Sequence, residues 1–284
     1  MNAQPFNWRH FKSSAISVVC FLCAVIVLTP LALVFIHIVR LGASSLDWNF
    51  LTHLPKPVGE TGGGMANAIM GSFILVGLAV LIGVPIGVLG GVYLSEYGSD
   101  RMNWSVRFAA DVLNGTPSIV WGMVVYALVC VPMKKFSALA GGLALGFMMI
   151  PMVIRTTEEM LTLVPGGLRE AALALGIPKW KSTLHIVLKT GAKGIITGIL
   201  LAASRVAGET APLLFTAFGN RFWSFKLTDP ISALPRQIYD YAIAPYEDWH
   251  RQAWAGALVL MLMALTLNVG VRLMTRSSGS PVTR

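Results

Sequence analysis

The sequence predicts an all-α integral membrane protein with about six transmembrane helices, and three observations predict it. Only 12% of the 284 residues are charged while 55% are hydrophobic, whereas a soluble domain carries roughly 25% charged residues. The apolar residues fall in blocks long enough to cross hydrocarbon, which takes about 20 residues at ~1.5 Å each. The basic residues lie between those blocks, as loop charge does when it sets orientation. The net charge of +9 is therefore not read as a nucleic-acid surface: no basic, aromatic-studded domain is formed, and no nucleic-acid partner is expected.

Taken in order, residues 1–13 read as a cytoplasmic tail and 14–39 as the first transmembrane helix. Arg9 and Lys12 mimic the start of a signal peptide, but the apolar run is too long for one and no small-x-small pattern follows, so a retained anchor is expected. Residues 40–66 form an outside loop in which Pro55, Pro57 and Gly62 to Gly64 suggest a flexible connector. A transmembrane core over 67–274 holds spans at 67–94, 107–131, 136–154, 194–218 and 253–274, an inside loop at 155–193 and an outside loop at 219–252. The third and fourth spans, joined around Pro132, Lys134 and Lys135, should pair antiparallel. Gly83, Gly87, Gly90 and Gly91, like Gly141, Gly142 and Gly146, let helix backbones approach in lipid. Gly115 and Pro117 predict a helix break, tolerated only inside protein or beside water.

Asp111 reads as a first-turn helix residue favoured by the dipole, with a gate role as the alternative, and His37 as interfacial. Trp223, Tyr239, Tyr241, Tyr246, Trp249 and Trp254 suit the membrane interface or the docking of an outside partner. Cys20 and Cys23 have CxxC spacing without a second ligand pair, so they read as small apolar residues, and no metal site is expected. Residues 275–284 form a short polar tail that reads as cytoplasmic and disordered. With both termini inside, 13 Lys and Arg fall in inside segments and 8 in outside ones, Arg205 set aside. That bias favours this orientation.

The inside loop reads RTTEEMLTLVPGGLREAALALGIPKWKSTLHIVLKTGAK. Pro165, Gly166 and Gly167 break the chain, and a short helix from Leu168 to Leu175 follows, stopped by Gly176 and Pro178. A second short segment over Trp180 to Leu188, set at a sharp angle, would complete a knob. Ala171, Ala172 and Gly176 allow close approach to a partner, and Glu170 can pair across that interface. A surface helix on anionic lipid is the alternative. There is no P-loop, since Trp180 occupies the glycine position before Lys181. In the fifth span Arg205 and Glu209 lie in apolar surroundings, at a cost of roughly 2.5–3.5 kcal/mol per mid-helix charge. Spaced i and i+4 they would share a face, either as a structural pair or with Arg205 lining an anion path held by Glu209.

The inside loop resembles the signature of ABC importer permeases: Glu170-Ala171-Ala172, Gly176, then Ile186 and Leu188 at the family spacing, with Lys189 where that family has Pro. The resemblance implies a type I permease fold whose coupling helix, carrying Glu170, Ala171, Ala172 and Gly176, docks in a groove of a separate ATP-hydrolysing subunit. ATP and Mg would act there, with no cofactor bound by this chain and no catalysis by it. Ser204-Arg205-Val206-Ala207-Gly208-Glu209-Thr210-Ala211-Pro212-Leu213-Leu214 and Asn114-Gly115-Thr116-Pro117-Ser118-Ile119-Val120-Trp121-Gly122 are similar to segments of phosphate-type permeases. This narrower resemblance implies a bacterial inner-membrane phosphate permease with Arg205, Glu209 and Thr210 on the path. Its implied partners are a homologous second permease, a periplasmic phosphate-binding protein and membrane lipid. The alternatives are a permease for another oxyanion such as sulfate or molybdate, or a membrane sensor or scaffold.

Overall fold

The computed structural model describes residues 8–60 and 62–276, with the side chains of 8–11 and 271–276 outside that description. Helices α1 (Trp8–Ala43) and α2 (Trp48–Thr52) lead to α3 (Ala66–Tyr97), whose last turn is a π turn. Helices α4 (Asp100–Gly115) and α5 (Ser118–Met133) follow, then α6 (Ala138–Thr162) and α7 (Gly166–Ala174). The chain ends with α8 (Lys179–Ala207), α9 (Ala211–Thr216), α10 (Leu234–Ala242) and α11 (Glu247–Arg276). Among the described residues five helices are each long and apolar enough to cross a membrane, six when the bent pair α4–α5 counts as one span. The proposed terminal tails fall mostly on residues outside the description; the described part of each is helical, from Trp8 and up to Arg276.

The core is a seam between α3 and α6, which run side by side in the same direction. Each helix offers glycines to the other's side chains. A Cβ at Gly87 or Gly91 would lie 2.6 Å from Val153 or 2.5 Å from Thr157, and one at Gly142 would lie 2.5 Å from Leu78. Without a hydrophobic drive between helices in lipid, such van der Waals closeness is what holds them. Leu75, Leu145, Met149 and Val153 fill this seam together with Ala203 and Val206 of α8 and Leu213 of α9. Helix α1 is apolar and uncovered along its span, as suits a helix facing lipid. It meets the rest near Gly42 and through His37, whose ring stands edge-on to Trp254 at 5.1 Å.

Several expected elements are corrected. The third span is two helices meeting at 99°. Helix α4 begins at Asp100 and carries Arg101, Arg107 and Asp111, too many charges to cross lipid alone. Asp111 is consequently not a first-turn residue. The fourth span does not stop with its apolar run but continues to Thr162, because no proline or glycine intervenes before Val164-Pro165. The second short segment of the knob is the start of α8, which begins at Lys179 and ends at Ala207, short of the expected end at Phe218 because Gly208 caps it and Pro212 opens α9. The Gly62–Gly64 connector is a hydrogen-bonded turn: Gly64, Met65 and Ala66 donate to the carbonyls of Leu54, Phe50 and His53. Asp47 caps α2 by accepting from Phe50 N at 2.7 Å.

Candidate functional site: a cavity at a helix break and an exposed knob

The break between α4 and α5 opens a cavity of about 200 Å³ whose walls are Asn114, Thr116, Pro117, Ser118 and Trp121 on one side, Met148 and Met152 of α6 behind, and Arg205 with Glu209 opposite. A liquid water occupies about 30 Å³, so the space can hold a small hydrated ion. Gly115 closes α4 and Pro117 caps α5. The α9 wall is pressed onto α5 where a Cβ at Gly122 would lie 2.7 Å from Pro212 Cα.

Arg205 sits in the last turn of α8. Its Nη1 donates to Met152 Sδ at 3.8 Å, a weak acceptor that leaves most of the guanidinium fork without a strong partner. Glu209 lies beyond the helix end, so the expected i, i+4 pairing on one face does not form: Gly208 stops α8 between them. Among the described residues no ion pair joins Arg205 to Glu209, although both face the same cavity. Thr210 precedes α9 at its N-cap without a side-chain cap bond and is not part of the cavity wall.

One turn along α6 from Met152 lies a four-residue charge network absent from the sequence reading. Arg155 forks onto Asp111, Nη2 to Oδ2 at 2.9 Å and Nε to Oδ1 at 3.1 Å, the two-bond geometry that makes arginine–carboxylate pairs strong. Its Nη1 also reaches Glu158 at 3.4 Å, and Glu158 in turn accepts from Arg107 at 2.6 Å. Two positive and two negative groups thus tie α4 to α6 beside the cavity.

The knob is built around α7. Gly176, at φ +73°, terminates it in the left-handed region, and a Cβ there would meet nothing, so its role is the turn rather than close packing within this chain. Ala172 is 2% exposed and packs against its own protein. Glu170 and Ala171 are exposed, and Leu173 and Leu175 stand 55% and 80% exposed beside them. Such uncovered apolar side chains rimmed by polar ones mark an interaction surface. Arg169 fastens this knob to the bundle. It donates to Glu96 at 2.6, 3.0 and 3.2 Å, to Val164 O at 2.6 Å and to Leu161 O at 2.8 Å. Glu96 itself lies in the π turn that ends α3.

The chain is similar to curated relatives over nearly its whole length. Yersinia pestis "Phosphate transport system permease protein PstA" is 45% identical, covering 93% of this chain and 90% of the relative. The protein of the same name in Haemophilus influenzae is 43% identical over 94% and 95%. "Phosphate transport system permease protein PstA 1" of Mycobacterium tuberculosis H37Rv is 36% identical over 92% and 86%. Among solved structures, a bacterial ABC transporter involved in the import of the acidic polysaccharide alginate superposes with a TM-score of 0.69 at 12% identity, covering 96% of this chain and 99% of that one; this establishes the fold. Residues 83–279 match the family described as binding-protein-dependent transport system inner membrane component. On that match, and on relatives this similar at full length, the chain belongs to the binding-protein-dependent transport system inner membrane component family.

Proposed function

We propose that this chain is the permease subunit of an ATP-driven importer of inorganic phosphate and lines the path that phosphate takes through the bacterial inner membrane. The observation that carries the reading is Arg205: a guanidinium at the wall of the cavity at the α4–α5 break, left with a thioether as partner, in a chain whose relatives are named phosphate transport permeases. Arginine suits phosphate because its planar fork makes paired, charge-assisted hydrogen bonds. Glu209 on the same wall keeps the contact weak, so that the anion passes rather than stays.

In this reading both termini and α7 face the cytoplasm, and α7 docks in a separate ATPase that uses ATP and Mg. Leu173, Leu175, Glu170 and Ala171 are the side chains available to it, and Arg169 passes its displacement to α3 and α6. A homologous permease completes the bundle, a periplasmic phosphate-binding protein delivers the anion, and this chain performs no chemistry itself. ATP-driven displacement of α7 would rock the bundle between outward and inward access.

The test is ATP-dependent uptake of labelled phosphate into vesicles holding the purified complex, with and without Arg205→Gln. Uptake should fall at least a hundredfold while copurification of the subunits is unchanged. Wild-type-like uptake by the variant would remove Arg205 from the path. Equal competition by sulfate or molybdate would transfer the reading to a broader oxyanion permease.

A further inference from the structure

We propose that a second anion site, formed by Arg221 and Arg236 in the loop between α9 and α11, receives phosphate at the outer mouth before it reaches Arg205. The inference rests on the phosphate reading above and deepens it. It starts from a cavity of about 250 Å³ lined by both arginines with Asn220, Ser232, Gln237 and Asp240. This cavity and the Arg205 cavity stand at opposite ends of α9: Glu209 precedes that helix, and Phe218 and Gly219 follow it. Six helical residues rise about 9 Å, so one short helix separates the two stations. Helix α8 runs from the knob to α9, which places this second cavity at the end of the bundle away from α7.

Arg236 is the unusual member. Its side chain is only 15% exposed, yet its charge is thinly matched. Asp240 approaches Nη2 at 3.4 Å, the guanidinium lies over the Phe218 ring at 5.3 Å, and Nε is buried with no hydrogen-bond partner. A buried charge is stable when paired and fully hydrogen-bonded, and a buried donor without an acceptor marks a missing partner. Burial draws the Arg236 pKa below the usual guanidinium value, with Asp240 opposing.

The backbone around it is shaped to hold this arrangement. Phe218 and Gly219 have φ of +55° and +79°, and a Cβ at Gly219 would collide with the Arg236 guanidinium. The glycine therefore both makes the turn and leaves room for the fork. Arg221 lies over Trp249 at 5.5 Å, adding a second cation held by an aromatic face. Burial raises the Tyr241 pKa, so its hydroxyl stays a neutral donor on the cavity wall. With Asp240 subtracted, the site carries one excess positive charge. That is enough to attract a phosphate anion and too little to retain it.

The experiment uses the assembled permease–ATPase complex in lipid nanodiscs and vesicles, with Arg236→Gln, Arg221→Gln and Gly219→Ala variants. With liganded binding protein saturating, Arg236→Gln should lower phosphate uptake about tenfold, the scale of losing a charged hydrogen-bond pair, while ATP hydrolysis stimulated by the binding protein persists. Arg221→Gln, at the exposed edge, should lower it about threefold by the same accounting. In nanodiscs without binding protein, and in an Arg205→Gln background, inorganic phosphate should show 31P line broadening that Arg236→Gln and Gly219→Ala abolish. Unchanged uptake in both Gln variants, or broadening indifferent to them, overturns the outer site while wild-type phosphate transport keeps the permease reading. If the wild-type complex moves no phosphate, the permease reading falls, and this inference with it. Should Arg236→Gln fail to assemble, Arg221→Gln and the binding measurement still decide.

Discussion

Arg169 and Arg205 occupy the same bundle under opposite conditions. Arg169 spends its guanidinium on Glu96 and two backbone carbonyls, with each of its nitrogens engaged. Arg205 faces a cavity with a methionine sulfur as its partner. Both are arginines near helix ends, and hydropathy singles out only Arg205, by its apolar surroundings. The difference teaches how to tell a rivet from a ligand group: a saturated guanidinium fixes geometry, and an unsaturated one beside a cavity is available to an anion. Arg155 stands between them, forked on Asp111 but one turn from the cavity.

The largest effect expected from this contrast is at the rivet. Arg169→Ala leaves Glu96, only 5% exposed in its side chain, as an unpaired buried charge, which costs about 3–5 kcal/mol. The complex should copurify poorly and all transport should be lost with it. Arg169→Lys should not rescue it, since a point charge cannot serve the carboxylate and two carbonyls together. Removing both partners, Arg169→Leu with Glu96→Leu, should restore assembly in large part, because a pair replaced by packed apolar groups is often neutral. Normal amounts of Arg169→Ala complex in the membrane would show that the knob is held by other contacts.

A smaller effect is expected from the charge network. The Arg155–Asp111 pair is 34% and 56% exposed, so its loss should change stability by about 1 kcal/mol or less. Asp111→Asn nevertheless turns a neutral network into one with an excess positive charge one turn from the cavity. A passing anion would linger there. Maximal phosphate uptake should drop several-fold with assembly intact, and exchanging the charges as Asp111→Arg with Arg155→Asp should recover part of it. Uptake unaffected by Asp111→Asn would make the network a fastening between α4 and α6 alone.

Much of the architecture is written in local chemistry. Apolar runs mark α1, α3, α6, α8 and α11, and the Gly115–Pro117 pair coincides with the 99° bend. Helix ends are less legible, since α6 and α8 carry charged turns beyond their apolar stretches and hydropathy stops where lipid does. What the sequence hid is pairing across distance. Asp111 and Arg155 are 44 positions apart, Arg107 and Glu158 51, Glu96 and Arg169 73, and no periodicity announces such partners. The i, i+3 spacing of Arg155 and Glu158 was the one local sign, visible only once α6 is allowed to run on to Thr162. Arg205 and Glu209 show the converse. Their spacing suggested a helical pair, and a single glycine at 208 dissolves it.

That dissolved pair supports the smallest prediction. If Glu209 oriented Arg205 through an ion pair, Glu209→Gln would free the guanidinium and cripple transport nearly as Arg205→Gln does. The geometry instead gives Glu209 a separate position on the same wall, where its charge repels a bound anion and hastens release. Neutralising it should tighten phosphate in the cavity and slow turnover, and two exposed-to-half-buried charges near one another across solvent typically differ by about 1 kcal/mol or less. Uptake by Glu209→Gln should therefore stay within about fivefold of wild type, with the loss in maximal rate rather than in apparent affinity. Steady-state uptake over a range of phosphate concentrations distinguishes the two. A near-complete loss in an assembled complex would restore the ion pair as the working arrangement and make the open guanidinium a resting state.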